Sequence, residues 1–214
     1  MKYRKLVENA KKPNGFWGKM MIKAMNKGHS SLTSWGLEHM NIERTATVLD
    51  IGCGGGKTVD RLCSIVANGK VYGIDYSELS VKSSKKLNSK NILCNKAKIL
   101  QASVSDMPFD DNTFDNITAV ETYYFWPDKE NDVKEVFRVL KQGGTVMLLF
   151  EMLRTDDDPF KWEKVENMLN IKSVTPQEIR AVLESAGFEN INTYTTEGTT
   201  WLCATAQKPK DDEN

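Results

Sequence analysis

Residues 48–56 read Val48-Leu-Asp-Ile-Gly-Cys-Gly-Gly-Gly56: a short apolar run, a carboxylate, then glycines. Glycines that follow a strand and open a helix let backbone approach a ligand with no Cβ in the way. The neighbouring residues decide which ligand. A polyphosphate loop ending in Gly56-Lys57-Thr58 needs glycine at position 51, where Ile51 stands, and Asp50 would repel the phosphates. The dinucleotide fingerprint Gly-x-Gly-x-x-Gly starts at Gly52-Cys53-Gly54 and fails at Lys57. A tight turn with no ligand is the plain alternative. A cationic, phosphate-free nucleoside fits better. S-adenosylmethionine presents an ammonium, a carboxylate, a sulfonium and an adenosine. Asp50 suits the ammonium, directly or through water, and backbone N–H groups at the helix start suit the carboxylate. Asp75, at the end of the next apolar run, suits both ribose hydroxyls.

These residues need a sheet to hold them. From about residue 46, short apolar runs alternate with amphipathic stretches, which predicts helices layered on a mainly parallel sheet. Strands are expected at 47–51, 70–75, 97–102, 114–120 and 145–150. Val59, Leu62, Cys63 and Val66 recur at helical spacing, as do Val133, Val136, Phe137 and Leu140. The second of these helices is expected to stop at Gly143-Gly144. Ser77 can cap a helix, and Thr175-Pro-Gln-Glu178 reads as a capping box. Two last strands, near 188–194 and 200–206, are joined so closely that they must pair antiparallel. The expected fold is therefore α/β: a Rossmann-like, seven-stranded, mainly parallel sheet with a terminal antiparallel hairpin and helices on both faces.

Residues 1–45 fall outside this alternation. Phe16–Met25 and Leu32–Met40 look like two helices broken at Gly28, rich in Met and Trp. Core packing is the default account of their apolar positions, and the sharper one is a helical lid over the ligand edge, since flexible Met side chains re-pack around ligands. The segment 152–172, with Trp162, Val165 and Leu169, is a second candidate flap. The chain thus divides into a helical lid at 1–45, a catalytic domain at 46–206 and a polar tail at 207–214, expected to be disordered.

Val48–Gly56 also resembles the first motif of class I S-adenosylmethionine-dependent methyltransferases, especially those similar to the ubiquinone/menaquinone-biosynthesis enzymes. Tyr72-Gly-Ile-Asp-Tyr-Ser77, Met107-Pro-Phe-Asp-Asp-Asn-Thr-Phe-Asp115 and Phe137-Arg-Val-Leu-Lys-Gln-Gly-Gly144 follow in that family's order and spacing. The resemblance implies the same fold. It also implies that Asp50, Gly52, Cys53, Gly54 and Gly56 line the methionine part of the cofactor, Asp75 the ribose, and Tyr76 the adenine face. Where the family often carries an acid for the adenine amino group, this chain has Ser103. Adenine is then met by the Ser103 hydroxyl, the Val104 backbone, or Asp106 from a shifted register.

A sulfonium methyl is a strong electrophile, so the main task is in-line placement of a nucleophile near roughly 3 Å in a dry pocket. A hydroxyl or protonated amine acceptor would need a base. His29, beside Gly28, is the candidate, although a lone histidine is more often a surface or capping residue. In this fold the segment after the fourth strand faces the methyl, and here it reads Glu121-Thr-Tyr-Tyr-Phe-Trp-Pro127. Tyr123, Tyr124 and Trp126 either belong to the core or wall an acceptor pocket, where π faces stabilise a cation. Glu121 would touch the cofactor or pair with a substrate amine.

Composition narrows the partners. Lys+Arg and Asp+Glu both number 29 in 214 residues. That balance, with no Asn/Asp-Pro-Pro-Tyr/Phe run, argues against a nucleic-acid substrate. Four cysteines without a CxxC pair and only two histidines give no expectation of a metal site. No secretion signal or membrane-length apolar run is visible, so a cytoplasmic protein acting on a small-molecule acceptor is expected. A non-catalytic cofactor- or partner-binding module on the same fold, or an RNA or protein methyltransferase, are the rival readings.

Overall fold

A computed structural model describes residue 13 and residues 15–210; within the first helix, the side chains of Phe16, Lys19 and residues 23–27 lie outside the description. In chain order the elements are α1 (Gly15–Gly28), α2 (Ser30–Leu37), β1 (Thr47–Ile51), α3 (Lys57–Ile65), β2 (Lys70–Asp75), α4 (Glu78–Leu87), α5 (Ser89–Leu93), β3 (Ala97–Gln101), β4 (Phe114–Val120), α6 (Lys129–Val139), β5 (Leu140–Phe150), α7 (Glu163–Leu169), α8 (Pro176–Ser185), β6 (Glu189–Thr195) and β7 (Leu202–Gln207).

The sheet has seven strands in the order β3-β2-β1-β4-β5-β7-β6. The strands β1 to β5 run parallel, and β7 pairs antiparallel with both β5 and β6. Strand order reverses between β1 and β4, and ligands of open α/β sheets settle in the crevice at such a switch point. The central strands are buried on both faces, as their apolar runs require. Leu49, Ile117 and Val146 share one face with Val136, Ile179 and Leu183. Val48, Val59, Leu62 and Val71 pack on the other face. Ser77 caps α4 through its hydroxyl, and Thr175 and Glu178 form the expected reciprocal capping box on α8.

The two N-terminal helices differ in role. Leu32 of α2 joins Met40, Met147, Leu149 and Cys203 in a core cluster. Gly36 lies so close to the sheet that a Cβ there would sit 2.7 Å from Leu149 Cδ2. The helix α2 is therefore a layer of the fold. In α1, Ile22 is buried, whereas Trp17 and Met20 are exposed.

Two boundaries depart from expectation for one reason. The helix α6 ends at Val139 instead of Gly143, and β5 starts at Leu140. Lys208, expected in a disordered tail, is buried, and its Nζ donates to Phe137 O and Leu140 O at 2.9 Å each and to Asn112 Oδ1 at 2.8 Å. An ammonium satisfies carbonyls that the end of α6 leaves without a helical partner. Gly143, at φ 71°, serves the strand instead, with its N–H on Lys208 O. The fold thus runs at least to Lys208; residues 211–214 lie outside the described residues. No described helix is long and apolar enough to cross a membrane.

Candidate active site

At the C-terminal ends of β1, β2 and β4 a crevice encloses about 890 Å³, part of it open to solvent. Its floor is the turn from β1 into α3. Gly52, Gly54 and Gly56 all take positive φ, which brings Gly54 N within 2.9 Å of Asp75 Oδ2. The other Asp75 oxygen accepts the Ser77 N–H at 2.8 Å, so the loop is fastened across β1 and β2 through one carboxylate. A Cβ on Gly54 would meet nothing nearer than Gly52 O at 3.9 Å, so this stretch presents bare backbone to the crevice. A Cβ on Gly52 would strike Thr122 Oγ1 at 2.2 Å. Gly56 turns away: a Cβ there would meet Ser84 Oγ at 2.3 Å, and its carbonyl accepts from Asn88. Gly56 therefore sets α4 against the loop, and Gly55 borders the crevice in its place.

Asp50 is buried beneath the glycines, bonded to Thr118 Oγ1 at 2.8 Å. Burial, opposed by that hydroxyl and reinforced by Asp75, pushes its carboxyl up to about 7. Burial also raises Asp75 against the pull of its two backbone donors. Two acids on neighbouring strands, both reluctant to ionise, flank the same opening. A bound cation would relieve both. Tyr76, 41% exposed, forms part of the wall next to Asp75.

His29, Glu121 and Phe125 also line the crevice. Glu121 follows β4 directly with φ at 57°, an uncommon backbone conformation for glutamate. Burial, with the like charge of Glu151 adding to it, lifts the Glu121 carboxyl to about 8 although it accepts the Glu151 N–H and bonds Tyr124. His29 sits in the break between α1 and α2, its neighbour Ser30 gripped by Arg61 at 3.0 Å. Burial lowers its pKa against the pull of Glu151, which favours the neutral imidazole.

A methyltransferase-domain family profile matches residues 49–148. An uncharacterised methyltransferase of Bacillus subtilis, YdaC, is 26% identical over 85% of this chain and 93% of its own length. The ubiquinone/menaquinone biosynthesis C-methyltransferase UbiE of Cronobacter sakazakii is 30% identical over 73% of this chain and 72% of its own length. This chain belongs to the class I S-adenosylmethionine-dependent methyltransferases. Its cofactor is S-adenosylmethionine. A methyltransferase of Haloferax volcanii, solved with the Trm112 methyltransferase activator, shares the fold with a TM-score of 0.74 at 20% identity, over 88% of this chain and 93% of its own.

In this methyltransferase the aromatic run does not act as one wall. Tyr123–Phe125 form a 3-10 turn, whose steps of about 120° send successive side chains in different directions. Tyr123, Tyr124 and Trp126 go into the core, and Phe125 alone of the four borders the crevice. Tyr124 and Trp126 support from behind: Tyr124 OH accepts the Met152 N–H at 3.0 Å, and Trp126 Nε1 donates to Thr122 Oγ1 at 3.4 Å. Ser103 pairs with Asp106 in an isolated bridge, Val104 joins the core, and neither borders the crevice. Thr122, Phe125, Arg61 and Glu151 are residues that sequence reasoning missed. Only Thr122 and Phe125 carried a signal, through their place after β4.

Proposed function

We propose that this enzyme transfers the methyl of S-adenosylmethionine to a small-molecule acceptor held between the glycine loop and the α1–α2 junction. The single observation carrying the cofactor assignment is the pair Asp50 and Asp75 on either side of exposed backbone at Gly54. Asp75 takes the ribose hydroxyls, and Asp50, with Gly52, Cys53, Gly54 and Gly55, takes the methionine end. Tyr76 lies along the adenine. When bound, the cofactor supplies an electrophilic methyl on a sulfonium.

The protein's own residues do the rest. Glu121 and Phe125 border the acceptor, and Thr122 backs Gly52. His29, neutral and facing the crevice, receives a proton where the acceptor must lose one. The helix α1, with its Ile22 and the preceding Pro13 against the crevice, acts as a lid that excludes water. A partly open crevice lined in part by Phe125, Ile22 and Val120, in a chain of zero net charge, supports a small acceptor over nucleic acid. So does the similarity to a quinone-biosynthesis enzyme.

The test is a mass-spectrometric screen of pooled metabolites incubated with enzyme and cofactor. A metabolite gaining one methyl, with the gain lost in Asp75→Ala, is the expected result. Methylation of RNA or protein alone would refute the small-molecule assignment.

A further inference from the structure

Two groups lining the crevice, His29 and Glu121, meet a third, Glu151, that does not line it. His29 comes from the α1–α2 junction, Glu121 from the end of β4 and Glu151 from the end of β5. One ligand atom from each lies within 4.8 Å of the other two, and His29 Nε2 is 3.8 Å from Glu151 Oε2. Among the described residues, no lysine or arginine forms an ion pair with either glutamate. The backbone itself ties the acids together, because the Glu151 N–H donates to the Glu121 carboxylate. Phe125 offers an aromatic surface to the same cavity.

Acceptors surrounding one tetrahedral ammonium at about 2.8 Å stand roughly 4.6 Å from one another. The cluster is no wider than that, with the Glu151 carboxylate for the charge, a Glu121 carboxyl held up near 8 that a bound cation would draw into its ionised form, and a neutral imidazole to receive a proton. The aromatic surface adds cation–π attraction. We propose that His29, Glu121 and Glu151 form a subsite for a protonated amine on the methyl acceptor. This deepens the proposed function, and rests on it, by naming the substrate class. Glu121 and Glu151 hold the ammonium. Its N–H bond breaks toward the His29 imidazole, which becomes an imidazolium beside Glu151, and the bonding pair remains on nitrogen as the lone pair the reaction needs.

Calorimetric titration tests the subsite, with and without saturating S-adenosylhomocysteine. The probes are benzylamine, phenethylamine and tryptamine, each against its matched alcohol. At least one amine should bind about ten-fold or more tightly than its alcohol, the ratio expected when a charge-assisted hydrogen bond is added. Glu151→Gln and Glu121→Gln should each erase most of that preference, while Glu151→Gln leaves S-adenosylhomocysteine affinity as it was. No preference for any amine, or a preference that survives both substitutions, overturns the proposal. So does tight stoichiometric binding of Mn²⁺ or Zn²⁺ that displaces the amine, which would make the cluster a metal site. Loss of S-adenosylhomocysteine binding in the wild type would instead strike at the cofactor assignment, and is read separately.

Discussion

The carboxylate of Asp75 holds the backbone N–H of Gly54 at 2.9 Å, joining the end of β2 to the glycine loop after β1. One side chain therefore both shapes the loop and stands where the ribose is proposed to bind. Asp75→Ala removes both functions. Cofactor affinity should fall by about 2 kcal/mol or more, the scale of hydrogen bonds to a charged group. Calorimetry reads it, and an unchanged dissociation constant would refute the ribose assignment.

Gly54 separates loop shape from ligand space. At φ 50° an alanine costs roughly 1–2 kcal/mol in backbone strain, yet its methyl would meet no protein atom closer than 3.9 Å. Gly54→Ala should unfold a few degrees lower and lose cofactor binding more than ten-fold, because the methyl fills the cradle. Wild-type affinity in a folded Gly54→Ala protein would count against the loop as the binding surface.

Asp50 makes the ligand-free protein sensitive to pH. Its folded pKa lies near 7 against an ordinary 3.8, so the native state holds a proton that the unfolded chain releases. Stability from this group is complete below about pH 4 and is lost as pH rises through 7, by up to roughly 4 kcal/mol. Asp50→Asn should therefore melt higher than wild type at pH 8 and about equally near pH 4, while binding the cofactor more weakly. Equal melting temperatures at pH 8 would show that burial does not strain this carboxyl.

The sheet was legible because its strands carry the periodicity and glycine punctuation that packing demands: β1, β2 and β4 begin and end where their apolar runs do. The end of α6 was not, since Lys208, just past β7 and far along the chain, caps it, and no local pattern encodes that. The same division holds at the site. Asp50 and Asp75 were readable from their places at the ends of two strands. Glu151 was invisible because its meaning lies in meeting His29 and Glu121, which only the fold brings together. The aromatic run stayed open between core and pocket for a geometric reason: a 3-10 turn splits neighbours among directions, so residue type alone does not say which ring faces the crevice.

Gly36 offers a test of α2 as structure. Leu149 occupies the space a side chain would need, so Gly36→Val should push α2 off the sheet and destabilise the fold by about 1–3 kcal/mol, the usual cost of overpacking. Denaturant midpoints measure it. Unaltered stability would mean that α2 is not held against β5.

The most direct measurement is a calorimetric titration of the wild-type protein with S-adenosylmethionine, beside NADH and pyrophosphate as controls. Saturable one-to-one binding of S-adenosylmethionine, with neither control competing, is the predicted result. Absence of binding, or displacement by pyrophosphate, would contradict it.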